Sequence, residues 1–364
     1  MTMTVRDPKI LQGGRILVDH THCGRHVTGL ERITLELFSR QALAPLDATI
    51  IGSSGVPDMI RRQCLSMPAS LLMDPKAILL CPGFPPSIPA SFFGGRVLPY
   101  IHDVFLLNRP QDLNKRARLY MAPAFRRAVS VLSRFLVNSQ TTCNELRSYA
   151  RPDAQITLYR PGVRNVFGLS AQGREALVRP SGSLRLVALG TIEPRKNLMA
   201  AARIVSALRE QGLADATLDL LGRSGWGDDE KQLAAMPGVT LHGYQPVERV
   251  REIVSQSHAL ICTSHDEGLG LPLLEAQYAG LAVIAPDQAV FREVLADSGL
   301  FIDPSAPETS AQRILAWADA PDFFSRGVAL ASANLSRWLG LASQDHDAVI
   351  ELISRISLSG GRSC

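Results

Sequence analysis

Short, nearly unbroken apolar runs alternate with longer stretches of helical periodicity along this chain. In the first half the runs occupy residues 15–19, 48–51, 77–81, 97–101 and 135–138. In the second half they occupy 184–189, 217–221, 259–263 and 281–285. Strands apolar on both faces belong to parallel sheets with helices on each side. Helical patterns lie between them, as at 30–42 and 197–211. The tail from 322 to 356 reads as mostly helical, with Trp338 and Leu339 as anchors. Two such series predict an α/β protein of two doubly wound domains. The Gly/Ser/Arg-rich stretch 168–183 marks the boundary. The expected division is 1–168, 183–340 and a terminal helix in 341–364 that packs back on the first domain.

Composition narrows the class. With 364 residues, 46% hydrophobic, and a net charge of +4, the chain is neither disordered nor short of core. Its 28 glycines and 23 prolines are dispersed, which excludes a collagen-like or low-complexity chain. The N-terminus lacks the order of a signal peptide, and no apolar stretch approaches the ~18 residues of a membrane span. Cys23, Cys64, Cys81, Cys143, Cys262 and Cys364 never form a C-x-x-C pair. They read as reduced thiols of a cytoplasmic protein, not zinc or redox ligands.

Charge is uneven. Residues 1–165 carry 21 Lys and Arg against 11 Asp and Glu, and the remainder is net acidic. A basic half points toward something anionic. Its densest piece holds Arg109, Lys115, Arg116, Arg118, Arg126, Arg127 and Arg134 against Asp112 alone. This reads equally as a solvated helix face or as a patch for a membrane surface or acidic ligand. No nucleic-acid signature accompanies it, so nucleic acid is not an expected partner.

Ligands of open α/β sheets sit beyond the carboxyl ends of the strands, so four loops stand out. The first, 19–32, carries His20, His22, His26, Gly24 and Gly29. Its glycine spacing is not that of a dinucleotide site, and its histidines, with no carboxylate framework, read as surface or substrate contacts and not as a metal site. The second places His102 and Asp103 directly after a strand, as chemistry or as a helix cap. The third, GTIEPRKN at 190–197, sets Arg195 and Lys196 beside a helix start, where two cations suit a diphosphate. The fourth, HDEGLGLPLLE at 265–275, puts Glu267 in a loop with Gly268 and Gly270. Glu275 follows on a helix expected over 271–280, with Pro272 tolerated in its first turn. Two acids on one cleft can hold a donor sugar and a ribose diol.

At this motif the sequence resembles a retaining glycosyltransferase of family 4. Glu267 and Glu275 match that family's E-x7-E pattern, and DEGLGLPLLEAQYAGLAVI is similar to its consensus. The likeness extends through LGTIEPRKN, LLGRSGWG and VTLHGY upstream and FREVLADSGLFIDP downstream. The first half is similar more loosely, through ILVD, TGLERIT, IHDVFLL and VNSQTTCNEL. The subgroup most resembled makes O-antigen, lipopolysaccharide core or exopolysaccharide, often from GDP-mannose.

The resemblance implies a GT-B fold, with two Rossmann-like domains facing a central cleft. It implies a nucleotide sugar as donor substrate in the C-terminal domain, and a glycan or lipid-linked acceptor in the N-terminal one. No cofactor and no metal are expected. Lys196 and Arg195 are expected to neutralise the diphosphate, with Thr191 standing where many relatives carry an Arg. Glu275 is expected on the ribose hydroxyls. Glu267 and the backbone of Gly268, Leu269, Gly270 and Leu271 are expected on the donor sugar and its phosphate. Gly29 is expected near the diphosphate, His102 near the reacting carbon, and Gly243 and Tyr244 near the base. Leu269 replaces the family's usual Phe. Fixed cations and amides would stabilise the departing diphosphate without a metal. The basic segment would hold the enzyme peripherally against anionic lipid at the inner face of the cytoplasmic membrane. The rival readings are a non-catalytic sugar-nucleotide-binding scaffold and a sugar-nucleotide epimerase.

Overall fold

The computed structural model describes residues 14–24, 29–108, 119, 121–176, 179, 181–225, 227 and 229–359. The chain divides into two compact units, Met1–Gly162 with Leu341–Cys364, and Val163–Gly340.

The first unit holds a six-stranded parallel sheet in the order β2-β1-β3-β4-β5-β6. Its strands are β1 (Ile16–Asp19), β2 (Ala48–Ile51), β3 (Ile78–Cys81), β4 (Val97–Ile101), β5 (Arg134–Val137) and β6 (Gln155–Leu158). Its helices are α1 (Gly29–Leu37), α2 (Val56–Arg61), α3 (Met67–Met73), α4 (Phe105–Asn108), α5 (Ala122–Val131) and α6 (Gln140–Arg147). Every residue of β1, β3 and β4 is buried, as their apolar runs require. α6 starts at Ser139, whose hydroxyl accepts from the Thr142 amide at 3.0 Å. α1 stops short of residue 42, because the chain turns at Ser39, whose hydroxyl accepts from the Ala42 amide at 3.2 Å.

The second unit holds another six-stranded parallel sheet, in the order β12-β11-β10-β7-β8-β9. Its strands are β7 (Ser183–Leu189), β8 (Asp215–Leu221), β9 (Val239–Gly243), β10 (Ala259–Ile261), β11 (Ala282–Pro286) and β12 (Gly299–Ile302). The helices are α7 (Leu198–Glu210), α8 (Asp229–Ala234), α9 (Val247–Gln256), α10 (Leu271–Gln277), α11 (Ala289–Leu295), α12 (Pro307–Ala318) and α13 (Phe323–Ser359). At its centre the sheet is packed on both faces. Leu186, Leu218, Leu220 and Ile284 meet α7 and α12 on one side. Val187, Leu260 and Val283 meet α10, α11 and Trp338 on the other. The chain order along this sheet is that of the Rossmann fold, and its direction reverses between β7 and β10.

Three strands escape the apolar-run reading, and all three are sheet edges: β6, β9 and β12. An edge strand shields less surface, so polar residues interrupt the run in β6 (Gln155) and in β9 (Thr240 and His242), whereas β12 reads Gly-Leu-Phe-Ile and carries no polar side chain. In the tail, Trp338 is wholly buried, whereas Leu339 stays 41% exposed and anchors nothing. Successive residues of a helix point in different directions, and here that turns Leu339 away from the core that takes Trp338.

Candidate active site

The reversal point of the second sheet decides the geometry. β7 and β10 pair directly, with Leu186 beside Ala259 and Val187 beside Leu260. The loops that leave their carboxyl ends therefore lie side by side. The first carries Glu193, Arg195 and Lys196 on a single tight turn, which ends at Asn197 with φ 48°. The second carries Thr263, Ser264 and Glu267. Backbone bonds join the loops: the His265 amide donates to the Arg195 carbonyl at 2.9 Å, and the Thr263 hydroxyl to the Asn197 carbonyl at 2.8 Å.

Glu267 sits at the centre. Its carboxylate accepts from the Lys196 ammonium, from Arg195 Nη1 at 3.0 Å and from the Ser264 hydroxyl at 2.9 Å. Arg195 is further committed. Its Nη1 also donates to the Asp266 carbonyl at 2.9 Å, and its Nε and Nη2 reach Glu193 at 3.1 and 2.7 Å. Two cations and two acids leave this cluster formally neutral. Lys196 passes over Gly190, where an added Cβ would lie 3.3 Å from its Cε. The hollow that Lys196 and Glu267 line together with Leu198, Leu260 and Leu273 measures about 20 Å³, room for at most a water.

Burial pushes the Glu267 carboxyl up, but Lys196 and Arg195 outweigh it and hold it below the usual carboxylate range. The unfolded group titrates near 4.5. Its stabilisation is therefore complete above that pH and is lost as pH falls through the lower folded value. Thermal unfolding in mild acid is expected to show a steeper loss for the wild type than for Glu267→Gln. Parallel curves would contradict it.

The rest of the fourth loop starts α10. Gly270 takes φ 79° as the residue before the helix, and Leu269 is buried in the core beside Leu273 and Phe291. Glu275 lies on α10 and is 2% exposed. Thr191 stands next to Gly190, where the backbone of β7's loop touches that of β8's. A Cβ on Gly222 would fall 1.7 Å from the Gly190 carbonyl oxygen, so only glycine permits this approach. Gly243 ends β9 at φ 67°, and the exposed Tyr244 lies under Arg223, 4.5 Å from its ring.

In the first unit, His102 follows β4 and its Nε2 lies 2.7 Å from the Pro82 carbonyl. A carbonyl only accepts, so Nε2 carries the proton and Nδ1 keeps its lone pair. Burial pushes the imidazole down to about 4. The unfolded ring protonates at 6.5, so stability falls as pH drops from there toward about 4. Imidazole NMR shifts are expected to hold steady near pH 6.5 and move near 4; titration at 6.5 would contradict this. Asp103 caps the next turn, its carboxylate accepting from the Phe105 amide at 3.0 Å. Gly29 opens α1, and a Cβ there would meet open space.

Two expectations change. His20 and His22 are not surface histidines: they are 6% and 8% exposed. His20 Nε2 bonds the Phe38 carbonyl at 3.1 Å and His22 Nε2 the Thr34 hydroxyl at 3.0 Å, because the loop after β1 tucks under α1. His26, Arg109, Lys115, Arg116, Arg118 and Asp112 lie outside the described residues. Of the remaining basic segment, Arg126 is exposed. Arg127 lies 4.5 Å over Phe92, and Arg134 donates to the Gly95 carbonyl at 2.9 Å. The described Cys23, Cys64, Cys81, Cys143 and Cys262 are free. Sequence reasoning passed over Glu193 and Ser264, which hold Arg195 and Glu267. The signal for Glu193 was an acid two residues before a committed arginine.

The chain has the GT-B fold of two solved glycosyltransferase structures. WaaG, involved in lipopolysaccharide biosynthesis, superimposes with a TM-score of 0.63 at 14% identity, over 93% of this chain and 99% of that one. Anabaena Alr3699/HepE, solved with UDP and glucose, gives 0.66 at 15%, over 94% and 100%. Residues 171–325, all within the second unit, match the family Glycosyl transferases group 1. The chain is similar to the serotype-specific mannosyltransferase WbdA of Escherichia coli, 30% identical over 156 residues. That match covers 41% of this chain and only 19% of WbdA.

Proposed function

We propose that this protein is a retaining glycosyltransferase. It moves a hexose from a nucleotide-diphosphate sugar, GDP-mannose by preference, to a glycan or lipid-linked acceptor in cell-surface polysaccharide synthesis. The observation that carries this reading is the Lys196–Glu267–Arg195 cluster at the reversal point of a group 1 domain. The preference for mannose rests on the likeness to WbdA.

The residues divide the work as follows. Breaking a glycosyl–phosphate bond leaves negative charge on the diphosphate, which fixed donors stabilise without a metal. Lys196 is the donor for that charge, since one of its three N–H groups goes to Glu267 and the others remain to be directed outward. Arg195 is the strut that keeps Glu267 in place, because four of its five N–H groups go to Glu193, Asp266 and Glu267. Glu267 and the backbone of Gly268–Leu271 orient the sugar and its phosphate, and Glu275 takes the ribose. Gly243 and Tyr244 flank the base. In the first unit, the neutral Nδ1 of His102 accepts from a sugar hydroxyl, and Gly29 leaves room for a diphosphate. The work takes place in the cytoplasm, with Arg126 and its neighbours in peripheral contact with anionic lipid. Among the described residues no helix is long and apolar enough to cross a membrane.

The test is incubation with GDP- and UDP-sugars, with and without a saccharide acceptor, following anomeric protons by NMR. Transfer with retained configuration, insensitive to a chelator, is the expected result, and a productive donor raises the melting temperature. A new sugar nucleotide formed without acceptor would replace this reading with an epimerase. Donor binding without any turnover would replace it with a scaffold.

A further inference from the structure

Parallel sheets are ordinarily covered by apolar side chains on both faces, yet the second unit departs from this along one side. On the face that Val187 and Leu221 share, β7, β8 and β9 carry Arg185, Thr217, Asp219, Thr240 and His242. The register makes them one patch, with Arg185 beside Thr217 and Asp219 beside Thr240. α9 leans over one flank and adds Arg249, Ile253 and Gln256, and the resulting hollow measures about 220 Å³.

Two observations separate this hollow from a merely solvated sheet face. First, it contains a fixed dyad. His242 Nε2 lies 2.6 Å from Asp219 Oδ1, and Gln245 donates to the His242 carbonyl at 2.5 Å. Second, it gathers unspent hydrogen-bonding groups. Among the described residues, the Thr217 and Thr240 hydroxyls, the Arg185 guanidinium and the Gln256 amide take no hydrogen bond from the protein.

Charge and size then select the ligand. Arg185 and Asp219 bring opposite charges to the lining, and Arg249 is paired with Glu252 at 2.5 Å, so the hollow is balanced and gives no net attraction to an anion. Alternating donors and acceptors around an apolar floor at Ile253 suit a neutral, hydroxyl-rich ring. The volume lies below the roughly 300–1,000 Å³ of pockets that enclose drug-sized ligands, and a single pyranose suits it better than a nucleotide diphosphate. The place is separate from the Lys196 cluster, because Arg185 lies about 13 Å along β7 from the strand's end at Leu189.

We infer that this hollow is a second saccharide site, which holds one hexose unit of a neutral oligosaccharide chain on the donor unit's flank. That the ligand is a saccharide rests on the glycosyltransferase reading; that a binding site exists rests on the hollow alone. The experiment is saturation-transfer NMR on the full chain with mannotriose as probe. Wild type is expected to transfer saturation to the sugar. Arg185→Ala and Thr240→Trp are each expected to reduce it about fivefold or more, the loss of one or two hydrogen bonds. Both positions are exposed, so the fold tolerates the changes, and unaltered melting curves verify this. Lys196→Ala is expected to keep the signal. Absence of saturation transfer in the wild type, an undiminished signal in both hollow variants, or displacement of mannotriose by inorganic phosphate would overturn the inference. A wild type that binds mannotriose here but turns over no nucleotide sugar would remove the proposed function and leave this site standing.

Discussion

Lys196→Ala is expected to slow sugar transfer by about 100- to 1,000-fold, the cost of removing one fixed donor aimed at developing charge. The fold should survive the change. Glu267 would keep Arg195 at 3.0 Å and Ser264 at 2.9 Å, so no buried carboxylate is left alone. The loss should therefore appear in turnover, with the melting temperature little altered. Steady-state rates with a nucleotide sugar and acceptor check it. Activity within about threefold of wild type would place the diphosphate charge elsewhere. Arg195→Ala should behave differently. It strips Glu193 and Glu267 of a shared partner, so both stability and activity should fall.

Trp338→Ala is expected to lower unfolding free energy by about 3–5 kcal/mol. The indole is wholly buried in the cluster with Leu274, Phe291 and Val294. The neighbouring Arg337 reaches the Glu293 and Val294 carbonyls at 2.9 Å, which pins α13 and limits collapse into the cavity. Denaturant unfolding monitored by circular dichroism checks it. A loss under about 1 kcal/mol would mean that the helix closes over the space.

The two experiments probe features of different legibility. Trp338 was readable as an anchor, since a large aromatic in a helical tail has few other uses. Its neighbour Leu339 was not distinguishable from it by composition, and only the helix phase turned it outward. The loops were equally mixed. The sequence marked Lys196, Arg195 and Glu267 as charged residues at strand ends, and assigned the cations and the acid to separate parts of a ligand. In the structure they bind one another, and Arg195 is mostly consumed by Glu193 and Asp266. His20 and His22 looked like loop histidines because burial by α1 leaves no local trace. The edge strands β6 and β9 were invisible for the complementary reason: their polar positions reflect a missing neighbour, which the local pattern does not record.

What the sequence by itself determined is local. Its apolar runs and helical periods dictate strands, helices and an α/β class, because side-chain burial along one segment has a period of a few residues. Its glycines, acids and cations dictate which loops can carry chemistry. What only the tertiary structure decided is adjacency. The strand order sets β7 against β10, and so brings Lys196 to Glu267 across 71 residues of chain. The same order leaves β9 at an edge, where Thr240 and His242 join Asp219 and Arg185 around one hollow. Crossover connections fix that order through packing of whole helices on the sheet, and no short window of residues contains it.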